Sequence, residues 1–534
     1  MTTTTPRRSV PWLLQAPEVP DVHAPRWFHR LPAWLSTGGI LVVLLALSAL
    51  VRSRYISGQL WGDEAIAVGI ASHPLGAIPG ILRLDGSAPL YYMVLHVWAT
   101  TFGSGEVAVH LLSLLLGLLS VPVAMWAGWS LFGRRTGMAA AVLFAFSPFL
   151  THYAEEAQPY ELLALLGLIA TACFLHAFVR RRRGFLVPLA LVLTLALYTS
   201  IWAIFFWAGA AVALWLLWRS TEERTGLLRD GVLTFGAALV LFVPWIPTLI
   251  DQIGQTTSPW GYGDLAGFGF PSSLLGSDRV TVSLAVALAV AALPLATRER
   301  RGTALARMLW SLMVIALAAA LLARFVSIVS PVWETRYLAS ILGALLLLGA
   351  VACARSGILG VVALVLTLAF AANAASFAPQ HKSDMRDVAG ELASYMRPGD
   401  VVVVGQPEQS PLAYYYLPAG LRFASPMGPI AHPSYMDWVD AYSRLKAAQP
   451  VPTVGALVAS LRPGQRLLYA RPLTEGIRAW TQSWSMLVRR RAAQWGALLA
   501  TDPRLVPIAG AVAPHNYRGA CCVADSAIVY TRVP

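Results

Sequence analysis

Lysine is nearly missing from this chain: of forty basic residues, only Lys382 and Lys446 are not arginine. Charge of either sign is also scarce, at 13% of 534 residues, where soluble domains carry roughly 25%. With 57% hydrophobic residues and a mean hydropathy of +0.61, the composition excludes a large soluble core and describes a polytopic membrane protein. Cysteine is limited to four. Cys173 and Cys353 fall inside apolar segments and behave as small hydrophobes, and a bridge between the adjacent Cys521 and Cys522 would be strained. No disulfide framework and no metal-ligand spacing follows from them. The N-terminal stretch is polar, with Arg7, Arg8, Arg26 and Arg30, and has no short apolar core ahead of a small-residue cleavage site. It predicts a retained cytoplasmic tail over 1–34 rather than a cleaved leader. The net charge of +13 raises nucleic acid as a partner, but no basic stripe interleaves with exposed aromatics, which argues against it.

What is there is a series of apolar runs. A hydrocarbon core about 30 Å thick needs roughly 20 apolar residues per helix. On that rule about eleven spans are expected, near 35–51, 106–131, 137–152, 160–179, 185–199, 200–218, 230–250, 279–296, 304–326, 336–354 and 357–378. The arginines then test the orientation. With a cytoplasmic N-terminus, the inside loops carry Arg134-Arg135, Arg180 to Arg183, Arg219/Arg224/Arg229, Arg298/Arg300/Arg301 and Arg355. The outside loops carry Asp63, Glu64, Asp85, Glu155, Glu156, Asp251, Asp264 and Asp278. Five successive inside loops obey the positive-inside rule, and an odd number of spans places the C-terminal region outside. The expected organisation is a mainly α, plasma (inner) membrane, multi-pass domain over 35–378, with a first outer loop at 52–105.

From Pro379 the character changes, as Pro, Gly, Gln and charge return. Met385–Met396 has helical spacing, Arg397-Pro398-Gly399-Asp400 is a turn, and Val401–Val404 reads as a buried strand. Helix, turn and strand recur at Val454–Leu461, Arg462-Pro463-Gly464 and Arg466–Ala470, and Ser526–Tyr530 adds a strand. Alternation of this kind predicts a small extracytoplasmic α/β domain over 379–534. No glycine-rich phosphate loop follows any of its strands, so it positions substrate rather than performing chemistry.

Three clusters hold the residues able to do chemistry, all on the outer side. The first is the loop Trp61–Tyr92, in which Asp63-Glu64 opens a helix-like run, Ala65 to Ser72, and a second run, Ala77 to Leu84, leads to Asp85, Gly86 and Tyr91. Neighbours on a helix point about 100° apart, so Asp63 and Glu64 divide their labour, Asp63 toward a reaction and Glu64 toward a backbone, metal or arginine. Spacing alone equally allows Asp63 to be a helix cap. The second cluster is His152-Tyr153-Ala154-Glu155-Glu156-Ala157-Gln158-Pro159-Tyr160. A solvated loop would explain two acids at a helix end, but the density of ionisable groups at membrane depth points to function. The third is Trp333-Glu334-Thr335-Arg336-Tyr337. Its arginine suits a phosphate, although an interfacial anchor with flanking aromatics is the ordinary alternative.

These motifs in their order, Trp61-Gly62-Asp63-Glu64, Ala88-Pro89-Leu90-Tyr91-Tyr92, Tyr153 to Tyr160, Glu334-Thr335-Arg336-Tyr337 and the Met385–Asp400 run, resemble the GT-C superfamily of polyprenyl-phosphate-sugar-dependent glycosyltransferases. The similarity is to the bacterial group related to protein mannosyltransferases and lipid A aminoarabinose transferases, and covers about 35–404. It implies inverting transfer from a lipid-phosphate sugar to an extracytoplasmic acceptor, a cell-envelope glycan, lipoglycan or protein. Mannosyl or arabinofuranosyl transfer is favoured. Asp63 matches the family's catalytic base and Glu156 its second-loop glutamate. Where many members place an arginine two residues later, this chain has Gln158, which shifts the duty toward the donor phosphate to Arg336. Glu64 and Glu156 are further candidates for that phosphate or for a divalent cation. Asp85, Tyr91, His152, Tyr153, Glu155, Gln158, Tyr160 and Tyr337 are candidates for substrate contact.

A transporter or flippase of a lipid-linked glycan is the alternative, and a non-catalytic scaffold a third reading. Transporters place ionisable groups near the midplane between repeated halves. This chain shows no internal repeat and collects its acids at one face.

Overall fold

The computed structural model describes residues 33–255, 270–292, 303–329, 334–372, 382–473, 482–512 and 525–534. The N-terminal tail, Trp333, Asp264, the Arg298/Arg300/Arg301 loop and Cys521-Cys522 lie outside them. The chain opens with α1 (Ala33–Arg52), followed by three helices in the first loop: α2 (Gly62–Ala71), α3 (Ile78–Asp85) and α4 (Pro89–Phe102). Next come α5 (Glu106–Phe132), α6 (Arg134–Ala145), α7 (Pro148–Tyr153) and α8 (Tyr160–Phe174), which runs on as a π-turn to Val179. The expected span 137–152 is therefore not continuous. Pro148 cannot continue the α6 ladder, and the Ser147 side chain accepts from the Leu150 N–H at 3.5 Å to start α7.

Among the described residues, six helical stretches are long and apolar enough to cross a membrane: Glu106–Phe132, Tyr160–Val179, Ile201–Ser220, Arg224–Ile253, Ala304–Val326 and Thr335–Arg355. The other expected spans fall on shorter or broken helices, among them Arg183–Thr199, Asp278–Ala292 and Gly357–Ala372. Among the described residues, length and composition alone thus mark six crossings, and the rest of the eleven expected spans rest on the shorter helices. The break between 186–199 and 204–220 sits at Ser200, whose extended backbone ends the first helix.

Beyond residue 382 lies a six-stranded mixed sheet of order β3-β2-β1-β4-β6-β5. The strands are β1 (Val401–Val404), β2 (Arg422–Ser425), β3 (Gly428–Ile430), β4 (Arg466–Pro472), β5 (Leu505–Val512) and β6 (Asp525–Arg532). β1 is four buried valines parallel to both β2 and β4, the composition of a strand covered on both faces. This layer is docked on the first loop. Ser383 Oγ donates to the Leu60 carbonyl at 2.7 Å, the Leu60 N–H to Tyr416 Oη at 2.8 Å, and the Trp438 N–H to the Leu84 carbonyl at 2.9 Å. At Gly69 the approach is so close that a Cβ would stand 1.6 Å from the Ser434 carbonyl oxygen.

Candidate active site

The two adjacent acids of α2 have separate fates. The helix starts at Gly62, and Glu64 Oε2 accepts from the Trp61 backbone N–H at 3.1 Å. Glu64, not Asp63, therefore satisfies the open helix end. Glu64 is wholly buried, and its Oε1 accepts from His110 Nε2 at 2.8 Å, the Ala157 N–H at 2.8 Å and Lys382 Nζ at 3.1 Å. Lys382 also donates to the Glu155 carbonyl, so one buried network joins α2, α5, the second outer loop and the start of the C-terminal layer. Burial pushes the Glu64 carboxyl up, but Lys382 and then His110 outweigh it and hold the group well below the usual carboxylate range.

Asp63 projects the other way. Its side chain is 41% exposed, and Oδ2 lies 3.3 Å from Arg336 Nη1. Arg336 stands on the 3-10 turn Thr335–Ile341, with its guanidinium 5.9 Å from the ring centre of Trp61 and 5.8 Å from those of Tyr160 and Tyr337. Tyr337 in turn stacks on Trp202 at 4.6 Å and 13°. Such a cage favours a cation from three sides. The Arg336 Nε is buried with no hydrogen-bond partner. Glycine brings this turn onto α8: a Cβ at Gly167 would meet the Ser340 carbonyl oxygen at 2.0 Å, and one at Gly343 the Leu168 Cα at 2.6 Å. Close backbone packing through small residues is how membrane helices fix such geometry.

The second loop closes the group. Glu156 is buried, its Oε1 3.3 Å from His152 Nε2 and its Oε2 without a partner. His152 meets Tyr153 edge-on at 4.6 Å, and Tyr153 lies 4.8 Å from Tyr160. Around Asp63, burial raises the carboxyl pKa; Arg336 opposes this, and Glu156, Glu334 and Glu64 reinforce it. The net direction is upward. Asp85 is buried at the end of α3, and burial first, with Asp63 adding to it against hydrogen bonds from Ser87, pushes it up to about 7.

Of the residues singled out from the sequence, Asp63, Glu156, Tyr160, Arg336 and Tyr337 are brought together. Glu64 is not free for a phosphate or a cation, because both its oxygens already accept from N–H donors. Among the described residues no three His, Cys, Asp or Glu side chains converge on one point, so of the Glu64/Glu156 pair only Glu156, with its Oε2 unpartnered, keeps an oxygen open to a cation. Glu155 is used structurally, accepting from the Tyr55 N–H at 3.0 Å. Tyr91 is fully enclosed, edge-on to Tyr92, and Gln158 is buried with its N–H on the Glu156 carbonyl at 2.8 Å. His110 and Lys382 were not anticipated. Their signals were present: a histidine inside a long apolar helix, and one of only two lysines in the chain.

Comparison with solved structures decides the fold. The chain superposes on ArnT from Cupriavidus metallidurans bound to undecaprenyl phosphate with a TM-score of 0.60 and 16% identity, over 93% of this chain and 98% of that one. It superposes on the mycobacterial arabinofuranosyltransferase AftD with a TM-score of 0.54 and 16% identity, over 92% and 41%. With an Archaeoglobus fulgidus oligosaccharyltransferase the TM-score is 0.52 at 11% identity, over 73% and 64%. This chain has the GT-C fold. Residues 86–250 match the family described as dolichyl-phosphate-mannose-protein mannosyltransferase, a stretch that runs on from the end of α3 and includes Glu156 and Tyr160. No curated protein sequence matches the chain.

Proposed function

We propose that this chain is a membrane glycosyltransferase that moves a sugar from a polyprenyl-phosphate donor to an acceptor on the extracytoplasmic face, with inversion. The observation that carries the reading is the half-open Asp63 carboxylate set 3.3 Å from a caged arginine whose Nε has no partner. The fold shared with a structure holding undecaprenyl phosphate supports the lipid carrier. The partial mannosyltransferase match and the fold shared with an arabinofuranosyltransferase favour mannosyl or arabinofuranosyl transfer.

In this mechanism the acceptor hydroxyl attacks the anomeric carbon from the face opposite the phosphate. The bond from that carbon to the phosphate oxygen breaks, and the polyprenyl phosphate leaves as an anion. Arg336 holds the developing charge through Nε and its terminal nitrogens, a fixed electrostatic arrangement that needs no reorganisation at the moment of transfer. Asp63 takes the proton late, as the oxygen bonds to carbon. A carboxylate of ordinary pKa, about 3.9, is a weak base, and the upward shift at Asp63 moves it toward the useful range. The lipid phosphate needs no protonation to depart, so one carboxylate suffices, unlike the paired acids of glycosidases. Glu64, Lys382 and His110 fix the helix from which Asp63 projects.

The test is transfer of radiolabelled sugar from polyprenyl-phosphate-mannose, then polyprenyl-phosphate-arabinofuranose, in membranes holding equal amounts of wild type, Asp63→Asn or Arg336→Gln. Wild type transfers from one donor and both variants lose transfer. Undiminished transfer in Asp63→Asn removes the base assignment.

A further inference from the structure

The C-terminal sheet contains a second polar site that glycosyl transfer at Asp63 does not use. From β1 the chain moves outward to β2, then returns on the other side of β1 as β4, both parallel to it. The strand order therefore reverses between β1 and β4. In open α/β sheets, ligands bind beyond the carboxyl ends of the strands at such a reversal. Gln406 to Gln409 follow β1 at that end. The register sets Pro472, the last residue of β4, opposite Asp525, the first of β6, so Asp525 reaches the same edge. This edge faces α2: a Cβ at Gly62, one residue before Asp63, would lie 3.6 Å from Gln409 Nε2.

The edge holds acceptors that lack donors. Gln406, Glu408 and Asp525 are 1%, 8% and 3% exposed. Gln406 Nε2 and Trp484 Nε1 both donate to Glu408 Oε1, at 2.9 and 2.8 Å. Gln406 Oε1, Glu408 Oε2 and Asp525 Oδ2 are left buried with no hydrogen-bond partner. Burial raises both carboxyls: at Asp525 the charges of Asp384 and Glu408 add to it, and at Glu408 hydrogen bonds from Trp484 and Gln406 oppose it while Asp63 adds last. An unmet buried acceptor costs about 1–3 kcal/mol, and a group of three calls for donors from outside the chain.

We infer that Gln406, Glu408 and Asp525 form a subsite for the hydroxyl groups of an acceptor glycan, lying beside Asp63 and setting which acceptor is used. The inference rests on the glycosyltransferase reading. Two carboxyl groups disfavour an anion, so the donor phosphate belongs with Arg336. Hydroxyls supply the missing donors, and the part-exposed Trp438, which meets Trp484 at 5.3 Å, supplies an apolar face of the kind sugar rings stack against.

The test uses the full chain in nanodiscs with octyl α-mannopyranoside and octyl α-arabinofuranoside as probes. Saturation-transfer NMR reads contact at the sugar-ring protons, with the octyl protons as a control for lipid partitioning. Wild type and Asp63→Asn show ring contact. Glu408→Gln with Asp525→Asn weakens it about tenfold, as expected when a polar subsite loses an ordinary hydrogen bond, without lowering the melting temperature. In the transfer assay the same pair raises the acceptor KM and leaves the donor KM unmoved. Ring contact absent in wild type with both probes, or equal in the paired variant, overturns the subsite. Ring contact that depends on these residues in a protein that transfers from no polyprenyl donor overturns the transferase reading instead.

Discussion

Asp63 and Glu64 are neighbours in sequence and opposites in environment, and the difference sets what each substitution does. Asp63→Asn removes a proton acceptor from a half-open position while keeping shape and the contact with Arg336, so transfer falls by about 10²–10⁴-fold with thermal unfolding nearly unchanged. Glu64→Gln leaves Lys382 buried beside a neutral amide. Breaking a buried pair in this way costs about 3–5 kcal/mol, read as a lowered melting temperature in detergent. An inverted result, with Asp63→Asn unstable and Glu64→Gln stable, would mean that the roles have been exchanged. Asp85 gives a pH signature. Its folded pKa is raised to about 7 from an ordinary 3.8, so the native state binds this proton more tightly than the unfolded one. The associated stability is complete below the unfolded value and is lost as pH rises through about 7. Asp85→Asn lacks this titration. Its melting temperature should gain on wild type between pH 5 and pH 8, and parallel curves across that interval would remove Asp85 as the titrating group.

At the scale of elements, close backbone contact decides how the site is held. The Ser434 carbonyl presses on α2 at Gly69, where a Cβ would stand 1.6 Å away, whereas at Gly80 on α3 a Cβ meets nothing within 4 Å. Gly69→Ala must push the His432–Met436 loop off α2. It should lower stability by about 1–3 kcal/mol, the usual cost of overpacking, and reduce transfer as α2 shifts. Gly80→Ala replaces glycine inside a helix and should be neutral or stabilising by about 0.5–1 kcal/mol. Equal melting temperatures for the two variants would show that the loop yields freely. These contacts also explain what could be read from the sequence. The opening of α2, the valine strand β1 and the three outer clusters are local patterns of charge or period, and each is visible in a few residues. The Lys382–Glu64 contact joins positions 318 apart, and no local pattern reports it. Strands β3 (Gly428-Pro429-Ile430) and β5, with Pro507 and Gly510 inside it, carry residues that weaken a strand signal. The α6–α7 break was announced by Pro148 but hidden by the apolar run around it.

At the scale of the whole molecule, the docking of the C-terminal layer on the first loop constrains the topology independently of any span count. Lys382 bonds Glu64, and Trp438 bonds Leu84, so both regions lie on one side of the membrane. The chain between α4 and residue 382 must then cross an even number of times. The described residues provide six long apolar stretches there, and the shorter or broken helices of 134–153, 183–199, 278–292 and 357–372 are the candidates for four more, which would satisfy that even number. With α1, crossing by all of these helices would give the eleven spans expected from the sequence. On that reading the arginine-rich loops at Arg180–Arg183 and Arg219/Arg224/Arg229 would lie on the side away from this layer, which the positive-inside rule would make the cytoplasm. We therefore expect alkaline phosphatase fused after Pro534 to be active and a green fluorescent protein fused there to be dark, with the reverse for both reporters placed in the Arg180–Arg183 loop. A bright C-terminal fluorescent fusion would place Asp63 in the cytoplasm together with Lys382. It would leave the contacts intact, but it would move the proposed transfer to the wrong face for an extracytoplasmic acceptor.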